Sequence, residues 1–343
     1  MNWLHRRKGA GAWREIMTMY EKLIVTGHLG FIASAFCRLY GEKYRISGVD
    51  FGGWGSMERN LAPGVVDIRA DIADAEEIRA IVDKVKPDAI VNFAAESHVD
   101  RSNDDDSCFW RSNVMGARVL AVEAMRLGIR MVHVSTDEVY GDAHANNAPW
   151  TEKSSISAKN PYSVTKAAAE MLLSVYGSSE RHNLDIVITR GANTIGPRQF
   201  PEKAVPKAVW CFTQNIEFPL FRTPAKRMWM HVDDHAAGIE AALCKGKRGE
   251  VYNIAPSFES EAPTADVIAK VRAMVGKGTI KEVPDRANYD LRYWMDGAKA
   301  KRELGWQAKY NFEDTVKTTV EWYLKNGEWL EAASGVLARG GKK

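Results

Sequence analysis

The chain has 343 residues, of which 45% are hydrophobic and 27% charged, and a formal net charge of +3. That length buries a substantial core in one large or two modest domains, and the composition is that of an ordinary globular protein. The small net charge gives no reason to expect nucleic acid as the main partner, and no window approaches the roughly 18 apolar residues that would argue for a membrane span.

Cys37, Cys108, Cys211 and Cys244 are scattered, without the close pairing of metal ligands, so no metal site is expected. Reduced thiols in a cytoplasmic protein are the simplest account. Met1 to Met19 carries Arg6, Arg7 and Lys8 but lacks the uninterrupted apolar segment of a secretory signal. We read residues 1–20 as an extension preceding the fold, with Met17 or Met19 as a candidate natural start.

Lys22 to Thr26 is a short apolar strand that runs into Gly27-His28-Leu29-Gly30 and then a helical pattern through Tyr40. Gly27 and Gly30 let the backbone turn tightly and approach a pyrophosphate, which rests on the helix N-terminus where free N–H groups favour anions. A second strand, Tyr44 to Val49, ends in Asp50. An acidic side chain there accepts from an adenosine ribose diol and repels a 2′-phosphate, which favours NAD over NADP; the alternative is a plain turn residue. Val65 to Asp71 reads as the third strand, with Asp71 and Ile72 at its end, and Ala75 to Val85 as a helix. Ala89 to Phe93 delivers Ala94 and Ala95, small residues that let a flat cofactor lie close to the backbone. His98 taken alone is more a structural than a catalytic histidine. Phe109 to Leu127 is a helix bearing Asn113 near its start.

The next apolar run, Met131 to Val134, reads as a buried parallel strand ending in Ser135, Thr136, Asp137 and Glu138, and Tyr162 opens a helix that continues through Tyr176. A strand end and a helix start placed this way face one site. Tyr162 and Lys166 are four apart, on one helical face, where an ammonium lowers a phenol's pKa and prepares it to take a proton from a sugar hydroxyl. Thr136 offers a hydroxyl to the same oxygen. Asp137 and Glu138 repel each other as anions in a partly desolvated site, so one keeps its proton near neutrality and serves as an acid while the other serves as a base. The competing reading is a chance surface pair and a capped loop. Their order after a dinucleotide signature favours the chemistry.

Leu184 to Thr189 is a further strand, and residues 190–206, rich in Gly, Pro and Asn, mark the change from a cofactor half to a substrate half. There follow a helix near Ala204 to Gln214, a strand near Glu217 to Phe221, a basic loop with Lys226 and Arg227, a helix from Val232 to Cys244 and a strand near Glu250 to Ile254. Arginines in such a loop either clamp a diphosphate bidentately or are merely solvated. Thr264 to Val275 and Trp294 to Glu303 read as helices around a polar loop, Asp285 to Tyr293. Phe312 to Asn326 reads as an amphipathic helix, and Ala332 to Lys343 as a frayed tail. The alternation predicts an α/β fold: a Rossmann-type doubly wound parallel sheet over residues 21–195, and a smaller mixed α/β substrate-binding domain over 196–330 with some chain crossing back to the sheet. Residues 331–343 form the tail.

AAESHVDRS at Ala94 to Ser102, STDEVYG at Ser135 to Gly141, PYSVTK at Pro161 to Lys166, FPEK at Phe200 to Lys203 and RELGW at Arg302 to Trp306 carry a family likeness. From Lys22 to Leu330 the chain resembles the extended short-chain dehydrogenase/reductase superfamily, and within it the nucleotide-sugar 4,6-dehydratases, those acting on dTDP-glucose above all. The resemblance implies an NAD site made of Gly27, Gly30, Phe31, Ile32, Asp50, Asp71, Ile72, Ala94, Ala95, Ser97, Asn113, Ser135, Tyr162 and Lys166. It implies a substrate site made of Ser97, His98, Thr136, Asp137, Glu138, Asn193, Glu202, Lys203, Phe221, Arg227, Arg286, Asn288, Tyr289 and Arg292. It also implies the roles: Tyr162 takes the C4 hydroxyl proton as hydride passes to NAD, Glu138 abstracts the C5 proton, Asp137 protonates the departing C6 hydroxyl, and hydride returns to C6. Phe221 stands where the family usually has a base-stacking Tyr, and Tyr289 where thymidine-specific enzymes commonly have His. The segment Phe221 to Arg227 is a residue short, so the choice between dTDP- and UDP-glucose stays open, while Ala33 replaces a third glycine at a helix to strand contact. Epimerases and decarboxylases of the same fold, the other enzymatic reading, typically lack the Asp-Glu pair; a silent NAD-binding regulator is the non-enzymatic one. A homodimer is implied, its helices near Asn113 and Tyr162 pairing into an intersubunit four-helix bundle.

Overall fold

A computed structural model describes residues 20–285 and 289–340. The extension expected before the fold lies outside these residues apart from Tyr20, and so do Arg286 and Asn288. In chain order the strands are β1 (Lys22–Thr26), β2 (Arg45–Asp50), β3 (Val66–Arg69), β4 (Ala89–Asn92), β5 (Arg130–Thr136) and β6 (Asp185–Gly191), then β7 (Asn193–Ile195), β8 (Phe218–Phe221), β9 (Lys226–His231), β10 (Val251–Ile254), β11 (Glu261–Pro263) and β12 (Ile280–Val283).

Seven of them form one all-parallel sheet in the order β10-β6-β5-β4-β1-β2-β3. Along β1, Leu23 and Val25 face one core and Ile24 the other, the period-2 alternation of a strand buried on both sides. Phe36 and Tyr252 fill the first core, and Ile78, Leu120 and Leu173 the second. Strand order reverses between β1 and β4, and such a switch point opens a crevice at the carboxyl ends of the strands. A separate core of Val209, Phe212, Ile268 and Val320 supports the small sheets, β11-β9-β7 and β12-β8.

Three expectations about elements need correction. The basic loop at Lys226 and Arg227 is strand β9, central in its sheet, with Arg227 buried. The helix expected over Trp294 to Glu303 is confined to residues 298–304, because Met295 pairs with Trp150 in an extended bridge. Residues 332–340 of the expected frayed tail belong to a helix, Gly327–Gly340, held because Trp329, Leu330 and Ala333 are buried against the third core, and 341–343 lie outside the described residues. The helix expected over Phe109 to Leu127 is present with a π-helical stretch, Trp110–Gly116, inside it.

Candidate active site

One cleft is lined by residues that follow β1, β2, β4, β5 and β6. At its first end Gly27 has φ +70°, and a Cβ there would come within 2.9 Å of the Ala94 backbone, so only glycine turns the chain this closely. The helix Phe31–Tyr40 begins at Gly30 with no side-chain cap, and Gly30, Phe31 and Ile32 line the cleft. Asp50 is buried and already committed: Oδ2 accepts from Leu29 N at 3.2 Å, and Oδ1 from Gly52 N at 2.8 Å and Ser56 Oγ at 2.9 Å. Ile72, Ala94, Ala95 and Ser97 continue the wall, while the buried Ser135 Oγ has no hydrogen-bond partner among the described residues. A glycine turn, an uncapped helix start and an acidic strand end fit a dinucleotide.

Asp71 sits between two lining residues, Ala70 and Ile72, but turns its carboxylate to Arg111 Nε at 2.9 Å and Ala73 N at 2.9 Å. Asn113 lies behind the cleft. It accepts from Glu96 N at 2.9 Å and donates to Glu96 O and Thr165 Oγ1, holding the loop after β4 in place.

Thr136, Asp137, Glu138, Tyr162 and Lys166 meet at the centre of the cleft. Thr136 caps the 3-10 turn Asp137–Tyr140, accepting from Glu138 N at 3.3 Å and donating to Asp137 Oδ1 at 3.3 Å. Asp137 is buried with Oδ2 unpartnered among the described residues; burial first, then the Glu138 charge, pushes its carboxyl up to about 8, against the pull of Arg227. The expected retained proton therefore falls on Asp137. Glu138 Oε2 accepts from Asn160 Nδ2 at 3.2 Å, and Asn160 caps the helix Pro161–Ser178 through a reciprocal pair with Ser163.

The expected lowering of the Tyr162 phenol by Lys166 is not what the structure holds. Burial and the Glu138 charge raise the phenol, with the Thr136 hydroxyl acting the other way. Lys166 Nζ donates to Val134 O at 2.7 Å, and burial lowers its ammonium to about 8 despite the Glu170 charge. Desolvation, invisible in a four-residue spacing, outweighs the pairing.

At the far end Asn193, Glu202 and Lys203 line the cleft. Lys203 Nζ donates to Ser97 O at 3.0 Å, and Trp54 Nε1 donates to Glu202 Oε2. His98 caps a short helix by accepting from Arg101 N at 3.2 Å, with Nε2 3.7 Å from Glu202. Arg227 is neither solvated nor in the cleft wall: its guanidinium donates to Lys226 O and Asp290 O and stacks 4.2 Å from the Tyr293 ring centre. Phe221 and Tyr289 have ring centres 5.0 Å apart, and Arg292 grips Glu261 with two bonds of 2.5 and 2.8 Å. These four lie outside the cleft wall.

Residues that sequence reasoning passed over include Phe51, Trp54 and Ser56, in the loop after Asp50, and His235. His235 donates from Nδ1 to Thr194 Oγ1 at 2.8 Å, since that hydroxyl gives its own proton to Ala192 O. Its ring occupies the space that a Cβ on Gly191 would need, and burial lowers its pKa to about 3. The aromatics after a glycine-rich strand end were the available signal for the loop; a histidine on an amphipathic helix carried none.

A family model described as GDP-mannose 4,6 dehydratase matches residues 24–319. A dTDP-glucose 4,6-dehydratase of Streptomyces antibioticus is 36% identical over 321 residues, covering 90% of this chain and 94% of that one. A trifunctional UDP-glucose 4,6-dehydratase of Arabidopsis thaliana is 35% identical, covering 92% of this chain and 49% of that protein. The crystal structure of a dTDP-glucose 4,6-dehydratase from Streptomyces venezuelae with NAD bound superposes with a TM-score of 0.85 at 36% identity, covering 91% of this chain and 99% of that one. With a match of that span laid over this cleft, the chain belongs to the GDP-mannose 4,6 dehydratase family, among the nucleotide-sugar 4,6-dehydratases of the extended short-chain dehydrogenase/reductase superfamily.

Proposed function

We propose that this chain is an NAD-dependent hydro-lyase that converts dTDP-glucose to dTDP-4-keto-6-deoxyglucose. The observation that carries the reading is a buried carboxyl, Asp137, with Oδ2 unpartnered among the described residues and Glu138, Thr136 and Tyr162 beside it in one cleft, where burial and the Glu138 charge favour its protonated form. An epimerase needs no such acid, because it expels no hydroxyl.

Gly27, Gly30, Phe31, Ile32, Asp50, Ile72, Ala94, Ala95, Ser97 and Ser135 would hold NAD, which supplies the hydride acceptor for C4 and the hydride donor for C6. Tyr162, as the phenolate that the positive charge of bound NAD would favour, would accept the C4 hydroxyl proton while Thr136 fixes that oxygen. The 4-keto group acidifies the C5 hydrogen, and Glu138, oriented by Asn160, removes it as a proton. Asp137 gives its proton to the C6 hydroxyl, which leaves as water. Asn193, Glu202 and Lys203 bind the sugar and its diphosphate. The Arg227 charge moderates the rise of the Asp137 carboxyl, while Phe221, Tyr289 and Arg292 form the nucleotide end.

In this reading residues 21–195 mainly serve the cofactor and 196–330 mainly the sugar nucleotide, with β10 crossing back beside β6. No helix among the described residues is long and apolar enough to cross a membrane. The four unpaired cysteines favour a reducing compartment, and we place the protein in the cytoplasm. A homodimer is supported by Met115, Val122, Val164, Met171 and Val175, exposed apolar side chains on residues 107–127 and 161–178.

Mass spectrometry of products from dTDP-glucose and UDP-glucose tests the proposal. A product lighter by one water from dTDP-glucose supports it. Unchanged mass, the outcome for an epimer, overturns it, and dehydration of UDP-glucose alone would revise the nucleotide.

A further inference from the structure

The helix Val232–Lys245 packs under the ends of β5 and β6 and brings His235 to the floor of the cleft. β6 ends at Gly191, which pairs in register with Thr136 at the end of β5, and all three residues line the cleft. A Cβ on Gly191 would stand 2.2 Å from His235 Cε1 and 2.4 Å from Nε2, so only glycine lets this edge of the ring reach the wall. The ring is 2% exposed, and burial keeps it neutral by holding its pKa at about 3. Its one proton sits on Nδ1 and goes to Thr194 Oγ1 at 2.8 Å, because that hydroxyl is itself committed to Ala192 O at 2.9 Å.

Nε2 is therefore a lone-pair acceptor, and it has no donor among the described residues. Ser135 Oγ and Asn193 Oδ1, also in the cleft wall, are buried and unpartnered in the same way. Buried polar atoms are rarely left so, and a set of them at the floor of a cleft takes its partners from a flat polar ligand.

We infer that His235 Nε2 accepts from the carboxamide N–H of the nicotinamide and so orients the ring of NAD. This rests on the dehydratase reading given above. There Thr136 fixes the C4 oxygen, so the nicotinamide carbon that exchanges hydride with C4 lies against the ends of β5 and β6. The sugar and its diphosphate extend away toward Glu202 and Lys203. On the nicotinamide, the N–H groups are those of the carboxamide. An acceptor held beside that group stops the ring rotating about its glycosidic bond, so one face is turned to the hexose for both hydride transfers, from C4 and then to C6. Thr194 is a positioning residue in this arrangement, since its hydroxyl keeps the His235 proton on Nδ1.

Equilibrium binding to the full chain, freed of nucleotide, tests this with NAD, with its acetylpyridine analogue, in which a methyl replaces the carboxamide nitrogen, and with ADP-ribose, which lacks the ring. The wild type should bind NAD about three- to tenfold more tightly than the analogue. His235→Leu should erase that preference and leave the affinity for ADP-ribose unchanged. His235→Gln, whose amide oxygen offers an acceptor in place of Nε2, should restore part of it. A preference that survives in His235→Leu, or is absent from the wild type, overturns the inference. If His235→Leu does not fold, nitrogen NMR of the wild-type ring decides: Nε2 should be unprotonated and should shift with NAD but not with ADP-ribose. A proton on Nε2, an equal response to both probes, or a shift on adding dTDP-glucose to the nucleotide-free chain contradicts it. A chain that binds neither NAD nor ADP-ribose would sink the cofactor reading itself, whereas NAD bound without the preference sinks only the role of His235.

Discussion

At the scale of single residues, Asp137 and Glu138 are adjacent in sequence yet chemically unlike. Asp137 is 3% exposed with one oxygen unpartnered among the described residues, whereas Glu138 is half-buried and tied to Asn160. Asp137→Asn should lower turnover by roughly 10²–10⁴-fold, while addition of dTDP-glucose still produces reduced nicotinamide absorbance, because oxidation at C4 does not need the acid. Turnover in the wild type should fall as pH rises through about 8, where Asp137 loses its proton. Stability follows the same group. Its folded pKa lies above the unfolded value, so between about pH 4 and 8 the folded state binds the extra proton and stability declines as pH rises. The penalty reaches a limit on the order of 5 kcal/mol above pH 8, so Asp137→Asn should melt higher than wild type at pH 8 and nearly level with it near pH 4. Tyr162→Phe, by contrast, should abolish both the absorbance change and turnover with little change in melting temperature. That these groups meet in one cleft was readable from a strand end followed by a helix start. Their proton states were not, because burial of Tyr162 and Lys166 comes from segments far away in sequence.

At the scale of elements, the loop after β2 reaches the Glu202 end of the cleft. Trp54 packs edge-on against Phe200 at 5.7 Å, carries the Arg101 guanidinium at 4.7 Å, and donates to Glu202. Trp54→Phe keeps the ring and removes the N–H. A hydrogen bond to a charged acceptor contributes about 1.5–3 kcal/mol, so KM for the sugar nucleotide should rise roughly ten- to hundredfold with kcat changed by only a few-fold, as steady-state kinetics would read. Such a bridge has no periodic signature. Periodicity did recover Ala75–Val85 and Thr264–Val275 to their ends, since amphipathic helices announce themselves. It failed at β9, where two adjacent cations masked a strand whose Arg227 is satisfied by the carbonyls of Lys226 and Asp290. It failed again at Gly327–Gly340, because the face carrying Trp329, Leu330 and Ala333 covers a core assembled from distant helices.

At the scale of the whole molecule, a sheet buried on both faces fixes the end of the cleft at Gly27 and Asp50, and a further core lies under the end at Phe200 and Glu202. The parallel sheet was legible because its strands are short apolar runs separated by helices. The three-stranded mixed sheet was not, because β7 and β11 are three residues each and owe their existence to pairing with β9. The exposed stripe of Val164, Met171 and Val175 runs along one helix without cover in the single chain. Met171→Glu should shift sedimentation at micromolar concentration from dimer to monomer while leaving the melting curve of the monomer cooperative; a wild-type chain that sediments as a monomer would contradict the assembly.

In the proposed reaction one nicotinamide oxidises the hexose and then reduces the same molecule after water has left. This cycle is tested most directly with dTDP-glucose carrying deuterium on carbon four. The expected product is lighter by one water, with the deuterium moved to carbon six. Product whose carbon six carries only solvent hydrogen, or deuterium still on carbon four, would contradict it.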